Sequence, residues 1–344
     1  MTAMIEKIIF LSWKHHFPAI SRSDNVKSSF QEPAHANDRN GKGRDTTRGG
    51  AIWCHSVLIV FNPTAGLRRA ARLWRVLDVL SANGCRLELT ETRHAGHARE
   101  LAREAAARGV ELIVAAGGDG TIAEIANGLN GAGVQLGVIP LGTANVLAHE
   151  LGLPFAPREV AAALAFRRTR LIWPGEAHGA TGARAFVQML GVGFDASVVL
   201  RLPPALKRAF GRGAYVAQSL REAVCYRFPP IHCRLDGKAF AAASVIVSKG
   251  RFYGGRYLLA PGMSPTERGF TVALFEHAGA IPALCYGAAL SLDLLSRMKG
   301  IRLLRAQEII FESAAVPAQS DGDPAGATPL VVRDAPSPIA MVVR

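Results

Sequence analysis

The chain has 344 residues, 49% hydrophobic and 19% charged, which suffices for one large or two modest cores and excludes disorder as the overall state. Its formal net charge of +13 calls for an anionic partner, yet no recognition helix, zinc pattern or aromatic RNA-binding motif accompanies that charge, so no nucleic acid is expected. Five cysteines, Cys54, Cys85, Cys225, Cys233 and Cys285, form no CxxC pair, which argues against a zinc site and for thiols in a reducing compartment.

Residues 1–55 are polar and aperiodic, and read as a disordered extension or as the product of a start codon set too far upstream. With 8 basic and 5 acidic residues they carry +3, leaving about +10 on the rest. From 56 to 168 the pattern is strand, turn, helix, repeated: strands at 57–61, 112–116 and 136–140, helices at 67–83, 97–108, 122–129 and 145–151. That is a doubly wound α/β domain. From 169 to 316 short β-rich runs take over, at 185–190, 231–235, 242–248 and 270–274, separated by Gly, Pro and Asp-Gly turns, and predict a β-sandwich. Residues 201–212 mix cations with Leu and Phe, as a segment touching an anionic bilayer would, or as a loop with a solvated basic face. The longest nearly uncharged stretch, 281–295, contains Pro282 and Asp293 and falls short of the ~20 residues that span a bilayer, so it predicts a helix packed on the fold and a chain peripheral to membranes at most.

Three strand-to-helix junctions carry the chemistry. Gly117-Gly118-Asp119-Gly120-Thr121 follows one strand, Asn62-Pro63-Thr64-Ala65-Gly66 another, and Leu141-Gly142-Thr143-Ala144-Asn145 a third. Glycines let the backbone approach an anion, and a helix N-terminus presents unpaired N–H groups to it. Parallel strands deliver their loops to one sheet edge, where three such turns converge on one phosphate-bearing nucleotide. Asp119 does not favour a bare phosphate, so its carboxylate implies either a bridging Mg²⁺ or a proton to be handled.

In this order and at these separations, NPTAG, GGDGTIAEIANGL and PLGTANVLAHELGLP resemble the catalytic domain shared by diacylglycerol kinases, sphingosine and ceramide kinases and the bacterial lipid kinases. Thr92 with Gly96-His97-Ala98, Gly191 to Ala196, Tyr253-Gly254-Gly255 and the late Asp321-Gly322-Asp323 extend the resemblance from about 57 to 344. It implies a chain that returns to its first domain over 317–344, and transfer of the γ-phosphate of ATP to a lipid hydroxyl. It assigns ATP phosphates to Asn62, Pro63, Thr64, Ala65 and Gly66, to Gly117, Gly118, Asp119, Gly120, Thr121 and Glu124, and to Gly142, Thr143 and Asn145. Thr92 contacts the nucleotide, and Asp119 acts on Mg²⁺ through Mg-ATP. The partners implied are ATP and a lipid; the net charge and the 201–212 segment add an anionic membrane surface, at the cytoplasmic side, and a homodimer is left open.

One position departs from the family. Where relatives carry an aspartate before a glycine, read as the general base, this chain has Glu267-Arg268-Gly269, and an arginine accepts no proton at neutral pH. Either Glu267 serves as the base, or Asp119 does, or the chain is a nucleotide- and lipid-binding regulator with weakened catalysis. Diacylglycerol, a sphingoid base or ceramide, and a long-chain alcohol all present a hydroxyl beside apolar tails, and the sequence does not choose among them.

Overall fold

A computed structural model of the chain describes residues 57–344, apart from 66, 130, 181, 204 and 207–209; the 1–55 extension lies outside the described residues. The first lobe is built on a six-stranded sheet ordered Leu87–Glu91, Val57–Phe61, Leu112–Gly117, Gln135–Pro140, Ile339–Val342, Thr169–Ile172. Five of these strands run parallel and the last antiparallel. Leu112–Gly117 is buried along its whole length, because helices cover both faces of the sheet. Alternate residues go to opposite sides. Leu58, Val60, Ile113 and Ala115 pack with Ala102, Ile122 and Ile125 of the helices His97–Ala107 and Asp119–Leu129. Val57, Ile59, Leu112 and Val114 pack with Leu73, Leu80 and Leu164 of Leu67–Ala82 and Pro157–Phe166.

The second lobe is a sandwich of two antiparallel six-stranded sheets. One is ordered Lys238–Ala242, Ile231–Leu235, Ile309–Phe311, Leu330–Asp334, Gly175–Gly179, Gly182–Phe186; the other Ile301–Ala306, Phe270–Phe275, Ser244–Ser248, Met189–Gly193, Pro317–Ser320, Asp323–Ala327. Phe186, Ile231, Phe311 and Val332 of the first meet Leu190, Val245, Phe270 and Val272 of the second in one core. Helices Phe194–Arg201, Arg212–Cys225 and Ala280–Ser291 are added to this lobe, the first two in a stretch whose sequence reads as β-rich. No helix among the described residues is long and apolar enough to cross a membrane.

The structure corrects three expectations. The boundary placed after 168 falls after Ile172, since Thr169–Ile172 pairs with Ile339–Val342 in the first sheet. The return expected over 317–344 is confined to Ile339–Val342; the strands Pro317–Ser320, Asp323–Ala327 and Leu330–Asp334 pair within the sandwich and bury residues in its core. Cys85 is held in a disulfide, whereas Cys225, Cys233 and Cys285 are free thiols.

Three ties hold the lobes together besides the returning strand. Asn127 of Asp119–Leu129 brackets Ala185, donating to its carbonyl (2.7 Å) and accepting from its N–H (2.8 Å). Buried Glu150 accepts from the Arg251 and Phe252 N–H groups (2.9 and 3.2 Å) and from Arg251 Nε (3.1 Å). The Trp173 N–H donates to Pro265 O at 2.8 Å.

Within the sandwich a buried ion pair staples sheet to sheet. Lys249 is fully buried, and its ammonium donates to Asp334 Oδ1 (2.7 Å), Gly269 O (2.9 Å) and Glu267 O (3.1 Å), while Asp334 Oδ2 accepts from Gly269 N (2.7 Å). Burial lowers the lysine pKa and the Asp334 carboxylate opposes that shift. Lys249→Ala leaves a largely buried carboxylate without its cation, so urea unfolding is expected to register a loss of about 3–5 kcal/mol. A loss under about 1 kcal/mol would mean that water replaces the ammonium at little cost.

Candidate active site

The parallel strands Val57–Phe61, Leu87–Glu91, Leu112–Gly117 and Gln135–Pro140 end on one edge, and their following turns are bonded to one another there. Asn62 N donates to Ala116 O (3.0 Å), Thr92 N to Phe61 O (2.8 Å) and Leu141 N to Gly117 O (2.8 Å). Asn62 uses its whole amide: Oδ1 accepts from the Thr64 N–H and hydroxyl (3.0 and 2.7 Å), and Nδ2 donates to Thr121 Oγ1 (3.2 Å). Pro63–Ala65 form a 3-10 turn with Pro63 and Thr64 exposed; Gly66 lies outside the described residues.

The two glycine turns touch backbone to backbone. A Cβ on Gly118 would stand 3.0 Å from Gly142 Cα, and one on Gly142 would stand 2.5 Å from Gly118 Cα. A Cβ on Gly117 would meet Thr121 Oγ1 at 2.4 Å. The helix Asp119–Leu129 starts inside the glycine motif, so its N-terminal turn lies at the sheet edge. Asn145 takes the left-handed conformation (φ 47°, ψ 48°), and its Nδ2 donates to Gly142 O at 2.8 Å. Its buried Oδ1 has no hydrogen-bond partner among the described residues. Thr143 stands exposed at the tip of this turn.

Asp119 Oδ1 accepts from Leu147 N at 3.2 Å. Burial pushes its pKa above the ordinary carboxylate value, and the Val146 and Leu147 amides and His149 pull it back. Glu124 is turned elsewhere: its two oxygens accept from Gly96 N (2.9 Å) and Ala98 N (3.1 Å), fixing the start of His97–Ala107. It therefore shapes the turn after Thr92 and does not face the glycine loops.

From the second lobe, the Asp321-Gly322-Asp323 turn comes up against this edge. Asp323 Oδ2 lies 3.8 Å from the Cβ position of Gly120. Asp321 accepts from the N–H groups of Val187 (2.8 Å), Gln188 (2.9 Å) and Met189 (2.9 Å), yet burial outweighs them and, with the Asp119 charge adding to it, pushes its pKa up to about 7. The turn is held from behind. Gln319 Oε1 accepts from Gly322 N (2.8 Å), Gln319 Nε2 donates to Asp195 Oδ2 (2.6 Å), and the Tyr253 hydroxyl donates to Asp195 Oδ1. Burial raises the pKa of both Asp195 and Tyr253.

The sequence marks this aspartate pair only as a matching piece; its signal is two carboxylates flanking a glycine, which also describes an ordinary turn. Glu267, expected as the base, is exposed and ion-paired with Arg305 (2.8 Å). Arg268 lies over the Trp173 ring, 3.9 Å from its centroid.

The donors gathered here are oxygens, the set a hard cation such as Mg²⁺ takes. An orphaned buried amide oxygen costs about 1–3 kcal/mol, which a bound cation or donor relieves. Asn145 Oδ1 and the Asp119 carboxylate, on the turns that follow neighbouring strands, therefore fit a metal-bearing polyphosphate. Gly142→Ala forces the two turns apart, and calorimetry is expected to show ATP binding about tenfold weaker or worse with the fold retained. Asp195→Asn removes the charge that strengthens the bonds from Gln319 Nε2 and the Tyr253 hydroxyl, so the hold of Gln319 on Gly322 is expected to loosen. Turnover should then fall about tenfold or more at unchanged ATP affinity, whereas unchanged turnover would make the chain from Tyr253 to Gln319 purely structural.

Comparison with known proteins agrees with this fold. The model of the diacylglycerol kinase catalytic domain matches residues 56–176, and that of the YegS C-terminal NAD kinase beta sandwich-like domain matches 188–343. The diacylglycerol kinase of Bacillus subtilis (strain 168) is 32% identical over 226 residues, 64% of this chain and 73% of that protein. The crystal structure of a diacylglycerol kinase from Bacillus anthracis str. Sterne has the same fold, with a TM-score of 0.65 at 23% identity over 84% of this chain and 97% of that one. Two adjoining family matches over both lobes, and a relative followed along most of its length, make this chain a member of the diacylglycerol kinase family of lipid kinases.

Proposed function

We propose that the chain transfers the γ-phosphoryl group of ATP to the hydroxyl of a membrane lipid, with Asp321 accepting the hydroxyl proton. The observation that carries this reading is the meeting of Asp119 from the first lobe with Asp321 from the second, each with a raised pKa. Asn62 to Gly66, Thr92, Gly117 to Thr121, Gly142, Thr143 and Asn145 would cradle the phosphates, and Asp119 would hold Mg²⁺ through Mg-ATP. When bound, Mg²⁺ supplies charge neutralisation for the transferring group. Loose phosphoryl transfer rests chiefly on positioning, which the hydrogen-bonded turns provide. The base is assigned to Asp321 in place of Glu267, because Asp321 sits in the glycine-turn cluster and Glu267 is engaged with Arg305.

The acceptor class is a hydroxyl beside apolar tails, and the diacylglycerol named in the B. subtilis relative is the first to test. Attachment to an anionic membrane at the cytoplasmic side belongs to this reading. A homodimer is not required by it, since every residue named comes from one chain.

The test is transfer of label from γ-labelled ATP to a total lipid extract, with and without Mg²⁺. Asp119→Ala should weaken Mg-ATP binding and lower turnover by orders of magnitude. Asp321→Asn should lower turnover about 10²–10⁴-fold with ATP affinity kept, and Glu267→Gln should change neither. Only ionised Asp321 accepts a proton, so the wild-type rate should rise as pH passes about 7 and level off above it, a profile that Asp321→Asn flattens. The stability effect has the opposite sign: because folding raises this pKa, the group's contribution is full below about pH 3.8 and lost as pH rises through about 7. ATP binding without transfer to any lipid would sink the kinase reading and leave a regulatory binder.

A further inference from the structure

Two helices of the second lobe pack on each other and leave apolar rows in water. Arg212–Cys225 buries Ala214, Gln218, Glu222 and Ala223, while Val216, Leu220 and Val224, four residues apart on one stripe, stay exposed, Val224 by 78%. Ala280–Ser291 contains no charged residue, and of its side chains only Tyr286 and Ala289 are buried. Ile281 is 76% exposed and Leu284 is open beside it; Leu292, just beyond the helix, is 69% exposed. Single exposed hydrophobics are ordinary, but two packed helices that both turn apolar side chains outward mark a docking surface.

Cations border this surface. Arg221 is exposed on the first helix, Arg297 and Lys299 follow the second, and Arg256 adjoins Tyr257–Leu258, a strand packed against it. Of the nearby acids, Glu222 is buried and accepts from Ser197 Oγ (2.7 Å) and Gln218 Nε2 (3.0 Å), and Asp293, exposed, accepts from Leu258 N (2.9 Å), so the cations Arg221, Arg256, Arg297 and Lys299 outnumber the exposed acid. The Arg212–Cys225 helix also begins at the candidate active site. A Cβ on the preceding Gly211 would lie 3.3 Å from Thr143 Cγ2, and the Tyr215 hydroxyl is 3.8 Å from the Cβ position of Gly322.

We propose that the paired helices Arg212–Cys225 and Ala280–Ser291 seat the chain on an anionic bilayer, their apolar rows entering the acyl boundary and the bordering cations meeting lipid head groups. This rests on the lipid-kinase reading only for its purpose, which is to place the acceptor beside the Asp321 turn. Charge complementarity selects the bilayer over a second copy of the chain: a two-fold dimer sets the same cation-rimmed patch against itself and adds no anionic complement, whereas an anionic surface neutralises the rim.

The test is sedimentation with phosphatidylglycerol/phosphatidylcholine vesicles, against pure phosphatidylcholine, without ATP. The wild type should bind the anionic vesicles and be weakened by about 1 M salt, where the screening length falls to about 3 Å. Val216→Ser with Leu220→Ser, Ile281→Ser with Leu284→Ser, and Arg297→Glu with Lys299→Glu should each weaken binding about tenfold or more. All these side chains are exposed, so melting temperature should hold, as should label transfer to a short-chain acceptor below its micelle concentration. If the kinase reading fails, no label moves in any arm while the vesicle pattern stands. Wild-type binding by all three variants would overturn the proposal, as would light scattering that shows a wild-type dimer split by the apolar variants with vesicle binding unchanged.

Discussion

The insertion of Ile339–Val342 between Gln135–Pro140 and Thr169–Ile172 is the constraint on which the candidate site depends. The chain leaves the first sheet at Ile172 and re-enters it at Ile339, and these two residues are paired directly. The sandwich is therefore held by two adjacent, mutually bonded strands rather than by a single flexible linker. Strands paired along four residues resist twisting about either one alone. The contacts of Asn127 with Ala185 and of Glu150 with Arg251 and Phe252, on other parts of the first lobe, remove much of the remaining freedom. Without this attachment, nothing would keep Asp321 beside a carboxylate more than two hundred positions earlier in the chain.

From the lobe junction the restraint runs on through buried polar groups. Glu150 ends the short helix that Asn145 begins, and it grips Arg251 and Phe252; Tyr253, next in sequence, bonds Asp195, which holds Gln319, which holds Gly322. Each bond contributes on the order of 1 kcal/mol when made, and more is lost when one buried partner is orphaned, so such a series favours one geometry over its neighbours. The same chain brings two carboxylates together at a cost. Asp119 raises the pKa of Asp321, and burial raises both, so a protein with no use for a cation or a proton there would gain by replacing one of them. The pair, together with the unpartnered Asn145 oxygen in the Gly142 turn, is what the proposed site would need to hold another charge.

What was legible in the sequence follows from the range of the interactions involved. The strand, turn, helix rhythm of the first lobe, the glycine turns and the Asn62 turn are local, and the periodicity of apolar residues reports them directly. The Gly118–Gly142 contact is foreshadowed too, since two glycine turns after neighbouring parallel strands have little room for anything larger. The returning strand and the chain from Tyr253 to Gln319 consist of contacts more than fifty residues apart, which no window of sequence contains. Glu124 reads as a phosphate-loop residue because of its place in the motif, but on a helix surface five positions past Asp119 it points toward the neighbouring helix start. Glu267 reads as a base by its proximity to a family position, whereas the fold surrounds that turn with Arg305, Lys249 and Trp173 and gives it to the cohesion of the sandwich.

The excess positive charge and the uncharged helix Ala280–Ser291 look unrelated in the sequence, and the proposed bilayer seat would use both. Charge attracts over a Debye length and without regard to detail, so about +10 on the sequence beyond residue 55 would concentrate the chain near any anionic surface. Apolar side chains act only at contact, and their burial scales with the area removed from water. A nucleic acid would use the charge and leave Ile281, Val224 and Leu292 in water; an apolar protein partner would cover those residues and leave the cations unmatched. The proposed anionic bilayer would satisfy the two together, and on the lipid-kinase reading it is also where the acceptor hydroxyl would be collected, so the surface proposal and the active-site proposal lead to the same place.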